Sequence, residues 1–217
     1  MFSIPLIFIK YKKAIIKKPK IQKIIKIIFL IGLIFQQITF IYFSFFIKGD
    51  GIIDGLPLYT CRITVYVSIF ALVLNSNKLK TVTIIWGIVG GILAMLVPDL
   101  HPYKWPHILY MNFFLTHILI FAIGMYFLLI EEVRPNTENK IFTYKFANIF
   151  LIMTLALNYI LNTNYSYLRI SPVYKDFFLK FNPILYAIFV IALYNIEIFI
   201  IMKIYEKICG KTLKNTN

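Results

Sequence analysis

Charged side chains, acidic ones above all, are scarce in this sequence of 217 residues. Only 15% of the residues are charged, whereas an ordinary soluble domain has about 25%. Cysteine is scarce as well, and two cysteines exclude a disulfide-stabilised scaffold. Because 60% of the residues are hydrophobic, one soluble core of this size cannot bury the apolar surface. A soluble globular domain and a disordered chain are therefore excluded too.

Long apolar runs are what the sequence does contain. Six of them could cross about 30 Å of hydrocarbon as helices, at 27–46, 56–74, 82–97, 108–130, 146–161 and 183–204. Helices satisfy their own backbone in lipid, so the sequence predicts an all-α polytopic membrane helix bundle with about six transmembrane helices. We expect a basic interfacial segment at 1–26, a six-helix transmembrane domain at 27–206 and a basic tail at 207–217. Two pairs in the third run, Gly87 with Gly91 and Gly90 with Ala94, have the spacing of close helix packing.

Basic residues outnumber acidic ones by 23 to 9, and the net charge is +14. In a soluble chain this excess of positive charge would suggest a nucleic-acid partner. Here the lysines flank apolar runs, which favours anionic lipid at the N-terminal lysines and no nucleic acid. Seventeen basic residues lie before the first run, in alternate connections and at the C-terminal end, against five in the other connections. This asymmetry predicts a multi-pass protein of the cell membrane with both termini in the cytoplasm.

Polar residues within or beside apolar runs are costly in a membrane, and most of them lie toward the predicted outer ends. Gln36, Gln37 and Glu197 are the exceptions. This one-sided arrangement predicts a polar pocket near the outer surface. Its candidate residues are Cys61, Arg62, Asp99, His101, His107, Asn112, Thr116, His117, Asn158 and Asn162.

Cys61 and His117 each have two interpretations. A lone membrane cysteine is by default a small packing residue, and a buried histidine often makes an interhelical hydrogen bond. Alternatively, Cys61 is a nucleophile and His117 its base, which requires hydrogen-bonding distance between them. We place Cys61 about five residues, or about 8 Å, into its run and His117 about ten residues, or about 15 Å, into its own. The pairing is therefore permitted within the error of the predicted boundaries.

Arg62 also has two interpretations. It pairs with Asp99 or extends to the outer interface, or its guanidinium binds a lipid phosphate or carboxylate. A metal site is less favoured, although Asp99, His101, His107 and His117 are ligand types. His107 and His117 lack the spacing of a helical pair of ligands, and no HExxH motif is present. No metal and no cofactor are predicted.

Five stretches together carry a family resemblance: GLPLYTCRI at 55–63, VPDL at 97–100, WPH at 105–107, FFLTH at 113–117 and LNTNY at 161–165. They resemble the YwaF-like family of bacterial integral membrane proteins, which is related to the animal transmembrane protein 164 group. The resemblance runs from about Gly55 to the end of the sixth run. Tyr59 and Asn162 depart from it, because family members often have His and Gly there.

The resemblance implies an activity. The animal relatives are described as acyltransferases that remodel phospholipids through a Cys nucleophile and a His, which would be Cys61 and His117 here. This implies a membrane-embedded lipid acyltransferase or lipid thioesterase acting on a phospholipid or lysophospholipid. Arg62, Asp99, His107, Asn112 and Asn158 are the candidate substrate-binding residues. The alternative is a non-enzymatic transporter or lipid-binding membrane protein whose cavity is the same polar pocket.

Overall fold

The structure is a computed structural model that describes residues 1, 3–49, 51–100 and 103–214, without the side chains of Asp54 and 208–214. His101, a candidate ligand type, lies outside the described residues. Within them the fold is helical and contains no strand. Five helices there are long and apolar enough to cross a membrane, which confirms the polytopic all-α bundle. The orientation of the termini and the division at residues 26 and 206 stay predictions.

Eight α-helices make up the described part of the chain. They are α1 (Ser3–Ile16), α2 (Pro19–Tyr42), α3 (Thr60–Leu74), α4 (Asn77–Leu96), α5 (Ile108–Leu129), α6 (Thr137–Ile160), α7 (Lys175–Phe178) and α8 (Pro183–Lys214). Two π-helical turns, Phe43–Ile47 and Gly51–Gly55, follow α2, and a short 3-10 turn, Tyr165–Tyr167, follows α6. The five spanning segments are Pro19–Ile47, Asn77–Leu96, Ile108–Leu129, Thr137–Ile160 and Pro183–Lys207.

The predicted boundaries differ most where a helix starts in polar sequence. α4 and α6 begin before the predicted runs at 82 and 146, because hydropathy marks only the apolar part of a helix. The side chain of Asn136 accepts a hydrogen bond from the backbone N–H of Asn139 at 2.7 Å and so caps α6. In contrast, α3 begins at Thr60, after the predicted start at 56. Its 15 residues reach about 22 Å, less than the thickness of the hydrocarbon.

The N-terminal segment docks on the bundle. α1 and α2 are separate helices with Pro19 in the first turn of α2, as expected of a residue that cannot continue a helix. The ring of Phe8 on α1 is buried and lies edge-on to that of Tyr126, with ring centroids 6.0 Å apart. The side-chain amide of Gln22 donates to the carbonyl of Ile16 at 3.1 Å, so it covers the end of α1.

Glycines bring the backbones of α4 and α5 into contact, as the small-residue spacing predicts. A Cβ added at Gly87 would lie 2.5 Å from the carbonyl oxygen of Ile120, and one at Gly91 would lie 3.0 Å from that of His117. From the other side, one at Gly124 would lie 3.1 Å from the carbonyl oxygen of Thr83. Gly90 is different, because a Cβ there meets nothing within 4 Å. Of the two predicted pairs, Gly87 and Gly91 form the interface.

Ion pairs gather three basic segments at one end of the bundle: the N-terminal segment, the start of α4 and the chain between α5 and α6. Glu131, just beyond α5, accepts from Lys26 of α2 at 2.5 Å and from Lys80 of α4 at 2.6 Å. The Lys80 side chain is 5% exposed and that of Glu131 is 10% exposed. Lys12 of α1 pairs with Glu132, and Lys78 of α4 pairs with Glu138 of α6. These three segments therefore share one end, which the charge asymmetry of the sequence assigns to the cytoplasm.

We expect Gly87→Ala to destabilise the protein by about 1–3 kcal/mol, because the new methyl group would press on the Ile120 carbonyl. Thermal unfolding in detergent measures this as a lower melting temperature. Gly90→Ala is the matched control and should melt like the wild type. Equal melting temperatures for the two variants would contradict the backbone contact.

We expect Glu131→Gln to lower the free energy of unfolding by about 3–5 kcal/mol, because it leaves the buried Lys80 ammonium without its carboxylate. Glu138→Gln is the control, because its pair with Lys78 is exposed and worth about 0–1 kcal/mol. Chemical denaturation of the two variants in matched micelles compares them. A loss for Glu131→Gln no larger than that for Glu138→Gln would show that the buried pair does not stabilise the fold.

Candidate functional site

A cavity of about 280 Å³ opens at the end of the bundle away from these ion pairs. α2, α3 and α5 supply most of its wall, and the connections after α4 and α6 supply the rest. The described residues that line it are Gln36, Phe40, Tyr59, Cys61, Arg62, Asp99, Leu100, Leu109, Tyr110, Asn112, Phe113, Thr116, His117 and Tyr167. Five of the seven predicted site residues, Cys61, Arg62, Asp99, Asn112 and His117, are therefore brought together.

Cys61 lies in the first turn of α3, not five residues into a helix as the sequence indicated. The helix begins at Thr60, and its first backbone bond runs from the Ile63 N–H to the Tyr59 carbonyl at 3.0 Å. The backbone amide of Arg62 interacts with the sulfur of Cys61. The N–H groups of a first turn have no partner within the helix, and they form the positive end of its dipole. Such a position stabilises a thiolate.

His117 is buried on α5 beside Cys61, and the two side chains interact. Its Nδ1 lies 2.7 Å from the carbonyl oxygen of Phe113. Because a carbonyl oxygen can only accept, Nδ1 carries the hydrogen, and Nε2 of the neutral ring has the lone pair. The arrangement therefore orients the imidazole as an acceptor for a nearby proton.

The start of α3 is set by side chains from the connection after α6. Tyr165 is fully buried, and its hydroxyl donates to the carbonyl of Ile52 at 2.8 Å and accepts from the N–H of Leu56 at 3.3 Å. Ser166 donates to the carbonyl of Leu58 at 2.7 Å. These contacts satisfy backbone groups without an α-helix, so α3 does not extend into 51–59, where the π-helical turn Gly51–Gly55 is followed by irregular chain. α3 therefore starts at Thr60 instead of the predicted residue 56, deeper in the bundle. This explains why Cys61 lies beside His117.

Arg62 and Asp99 both line the cavity, and each contacts aromatic residues. The Arg62 guanidinium lies 3.9 Å from the ring centroid of Phe40 and 5.0 Å from that of Tyr59. Asp99 accepts a hydrogen bond from the hydroxyl of Tyr167. Burial chiefly, and next this bond to a carboxylate, raise the pKa of the Tyr167 hydroxyl above its ordinary value. Tyr167 therefore stays a protonated donor at neutral pH.

Asn112 and Thr116 already donate within the protein. Asn112 donates to the backbone carbonyl of Gln36 at 2.8 Å and accepts from the Gln36 side chain at 2.9 Å. Thr116 donates to the carbonyl of Asn112 at 2.7 Å. Gln36, which the sequence left among the exceptions, is thus part of the cavity wall and ties α2 to α5.

His107 and Asn158 hold the fold around the cavity and are not among its lining residues. His107 caps α5 by accepting from the N–H of Leu109 at 3.2 Å, and it stacks on Tyr103 with ring centroids 4.1 Å apart. Asn158 is fully buried and binds both backbone groups of Tyr165, accepting at 2.7 Å and donating at 2.9 Å. Their contacts favour structural roles. In the described part of the chain, no three His, Cys, Asp or Glu residues group as metal ligands do.

Tyr110 and Tyr167 are cavity residues that the sequence did not single out, and Tyr59 was noted only as a departure from the family resemblance. In a chain with 15 tyrosines, nothing in the sequence distinguishes Tyr110 and Tyr167. Tyr167 and its neighbour Ser166 both have left-handed backbone conformations, with φ of 54° and 53°. Non-glycine residues hold such conformations when the surrounding contacts enforce them, often near functional sites.

Comparison with known proteins gives one match. The model of the TMEM164 family matches residues 1–203. The match includes the basic N-terminal segment, which the resemblance of the motifs left out. It supports the transmembrane protein 164 part of that resemblance, and the YwaF-like part stays a prediction. No curated protein and no solved structure matches the chain.

We expect the Cys61 thiol to be more reactive with His117 present, because the imidazole takes up the thiol proton. With Cys209 replaced by Ser, alkylation by iodoacetamide followed by intact mass reports on Cys61 alone. His117→Gln should slow alkylation by about tenfold or more, because less thiolate is present. His107→Gln is the matched histidine control and should stay within about twofold of the parent. Equal rates in all three proteins would mean that His117 does not activate the thiol.

Proposed function

The chain belongs to the TMEM164 family, and from that premise we propose that it is a membrane-embedded lipid acyltransferase or lipid thioesterase. The observation that carries the proposal is the placement of Cys61 in the first turn of α3, in contact with His117. A nucleophile needs a positioned base and groups that stabilise developing charge. The Cys61 thiol, the His117 imidazole and the N–H groups of the first turn of α3 support these three roles.

In the first step of the proposed reaction, Nε2 of His117 takes the proton of the Cys61 thiol. The sulfur then attacks the carbonyl carbon of a lipid ester, and a C–S bond forms. When the tetrahedral intermediate collapses, the ester C–O bond breaks and the leaving lysolipid oxygen takes the proton from His117. The products are a thioester on Cys61 and a lysolipid.

In the second step, an acceptor hydroxyl gives its proton to His117 and attacks the thioester. The C–S bond breaks, and the thiolate takes the proton back from His117. With a lysolipid as the acceptor a new ester forms, as in an acyltransferase, and with water the Cys61 thioester is hydrolysed to a free fatty acid, as in the thioesterase alternative. Backbone N–H groups of the first turn of α3 are the donors we assign to the oxyanion, because Thr116 and Asn112 already donate within the protein.

The proposed substrate is a phospholipid or lysophospholipid. Arg62, Asp99 and Asn112 lie in the polar wall that would receive the headgroup, and a guanidinium suits phosphate geometry. The described residues that line the cavity do not include His107 and Asn158, so we assign them no contact with this substrate.

We further propose the cell membrane as the location, with anionic lipid bound at the N-terminal end. Lys10, Lys13 and Lys17 on and after α1 are exposed, and so are Leu6 and Ile9 on the same helix. Exposed lysines beside apolar side chains are typical of a helix at an anionic lipid surface. The charge asymmetry of the sequence supports this placement.

We expect purified protein incubated with phosphatidylcholine to gain an acyl adduct on Cys61 that hydroxylamine removes. Intact-mass spectrometry measures the adduct, and peptide mapping locates it. Cys61→Ser should lose it, because an alcohol is a far weaker nucleophile here, while Cys209→Ser is the matched control and should keep it. His117→Gln should lower the yield by about tenfold to a hundredfold.

An adduct that persists in Cys61→Ser would overturn the covalent mechanism. The absence of any adduct on folded wild-type protein, under conditions that trap slow thioesters, would favour the alternative of a transporter or lipid-binding protein. In that case, lipid binding that survives Cys61→Ala and is lost with Arg62→Ala would identify the cavity as a binding site.

A further inference from the structure

A second cavity of about 320 Å³ lies beside the first, between α8, the end of α4 and the connection that follows α6. We call it the α8 groove. Its wall on α8 follows helical spacing and so forms one face of that helix: Tyr186, Phe189, Val190, Leu193, Tyr194 and Glu197. Across from this face lie Leu93 of α4 and Phe178 of α7. The groove is apolar over most of its length.

The α8 groove adjoins the cavity that contains Cys61. Tyr167 lines both of them, and the hydroxyl of Tyr186 donates to the Tyr167 carbonyl at 2.9 Å. Further along α8, the side chain of Tyr194 interacts with that of Thr60, the residue before Cys61. The middle of the groove is therefore level with the thiol, and Tyr167 and Tyr194 lie between the groove and the first cavity.

The open side of the groove faces the surroundings of a spanning helix. Phe189 and Leu193 are each 47% exposed although they line it, and α8 belongs to a spanning segment. In a bilayer, those surroundings are hydrocarbon. An acyl chain already in the membrane could therefore enter from this side, and among the described residues Tyr167 lines both this groove and the polar cavity.

We propose that the α8 groove holds the acyl chain of the ester substrate while its carbonyl lies at Cys61. This rests on the proposed function and adds where the chain lies and from which side it enters. The polar headgroup then occupies the first cavity and the hydrocarbon occupies the groove. The two spaces match the two parts of an amphipathic ester, and the thiol lies in the polar one, which shares Tyr167 with the groove.

Which acyl chains such a groove accepts depends on its shape. A lipid chain gains little by moving from hydrocarbon into an apolar groove, because the two environments are equally apolar. The fit of the wall then decides which chains react. Leu193 is placed for this, since it lies on the groove face beside Tyr194 and one turn before Glu197.

The test compares acylation of Cys61 by p-nitrophenyl palmitate and p-nitrophenyl butyrate, in mixed micelles, by intact mass. Leu193→Trp should lower the ratio of palmitoyl to butyryl adduct by about tenfold, because the indole fills the groove. Ile188→Trp is the matched control, since Ile188 is exposed on the opposite side of α8 and adds the same bulk. It should keep the wild-type ratio within about twofold.

The two proposals fail differently. If wild-type protein forms no adduct with either ester, the proposed function fails. Suppose instead that wild-type protein forms adducts, and that the ratio of palmitoyl to butyryl adduct is the same in the wild type, Leu193→Trp and Ile188→Trp. The groove then does not hold the acyl chain, and this inference is wrong.

A second measurement does not require a stable variant. Phosphatidylcholine with a diazirine in its acyl chain is photolysed with wild-type protein in vesicles of the same lipid. Crosslinks concentrated on 186–197 at the groove face support the inference. An equal yield at Ile188 and at the groove residues indicates general contact with bilayer lipid and would overturn it.

Discussion

The site depends on one constraint, which is that backbone polar groups inside a membrane protein need partners. Backbone that is not α-helical is tolerated inside a membrane only where protein or a water-filled cavity surrounds it. The chain at 51–59 meets this condition through Tyr165 and Ser166, whose hydroxyls bind its backbone. Asn158 in turn fixes Tyr165. Because these contacts keep 51–59 out of an α-helix, α3 begins at Thr60. Its first turn, with Cys61, then lies beside His117, which is well inside α5.

Hydropathy is enough to predict the helical bundle, because each spanning helix must cover its own backbone with apolar side chains. It cannot predict where α3 begins. The contacts that hold the chain before α3 come from residues more than 100 positions away, and a sequence window does not contain them. The polar first turns of α4 and α6 were missed for a related reason, since their cost is offset by Asn136 and by ion pairs at the same end.

The site was predictable as a set of residue types on one side of the membrane. Cys61, Arg62, Asp99, Asn112 and His117 share a cavity, because costly polar residues collect where they can be solvated or paired. Depth estimates could not separate wall residues from scaffold residues. His107 and Asn158 have the same polarity as the others, and only their hydrogen bonds show that they cap a helix and fold a connection.

The contact through Gly87, Gly91 and Gly124 divides the molecule into parts of different stiffness. Helices packed backbone against backbone resist sliding, because close-packed interfaces do not deform continuously. His117 belongs to this stiff pair, since its own carbonyl forms part of the contact. α8 has most of its spanning surface exposed, so fewer contacts hold it in place. A displacement of α8 would therefore leave the imidazole in its position.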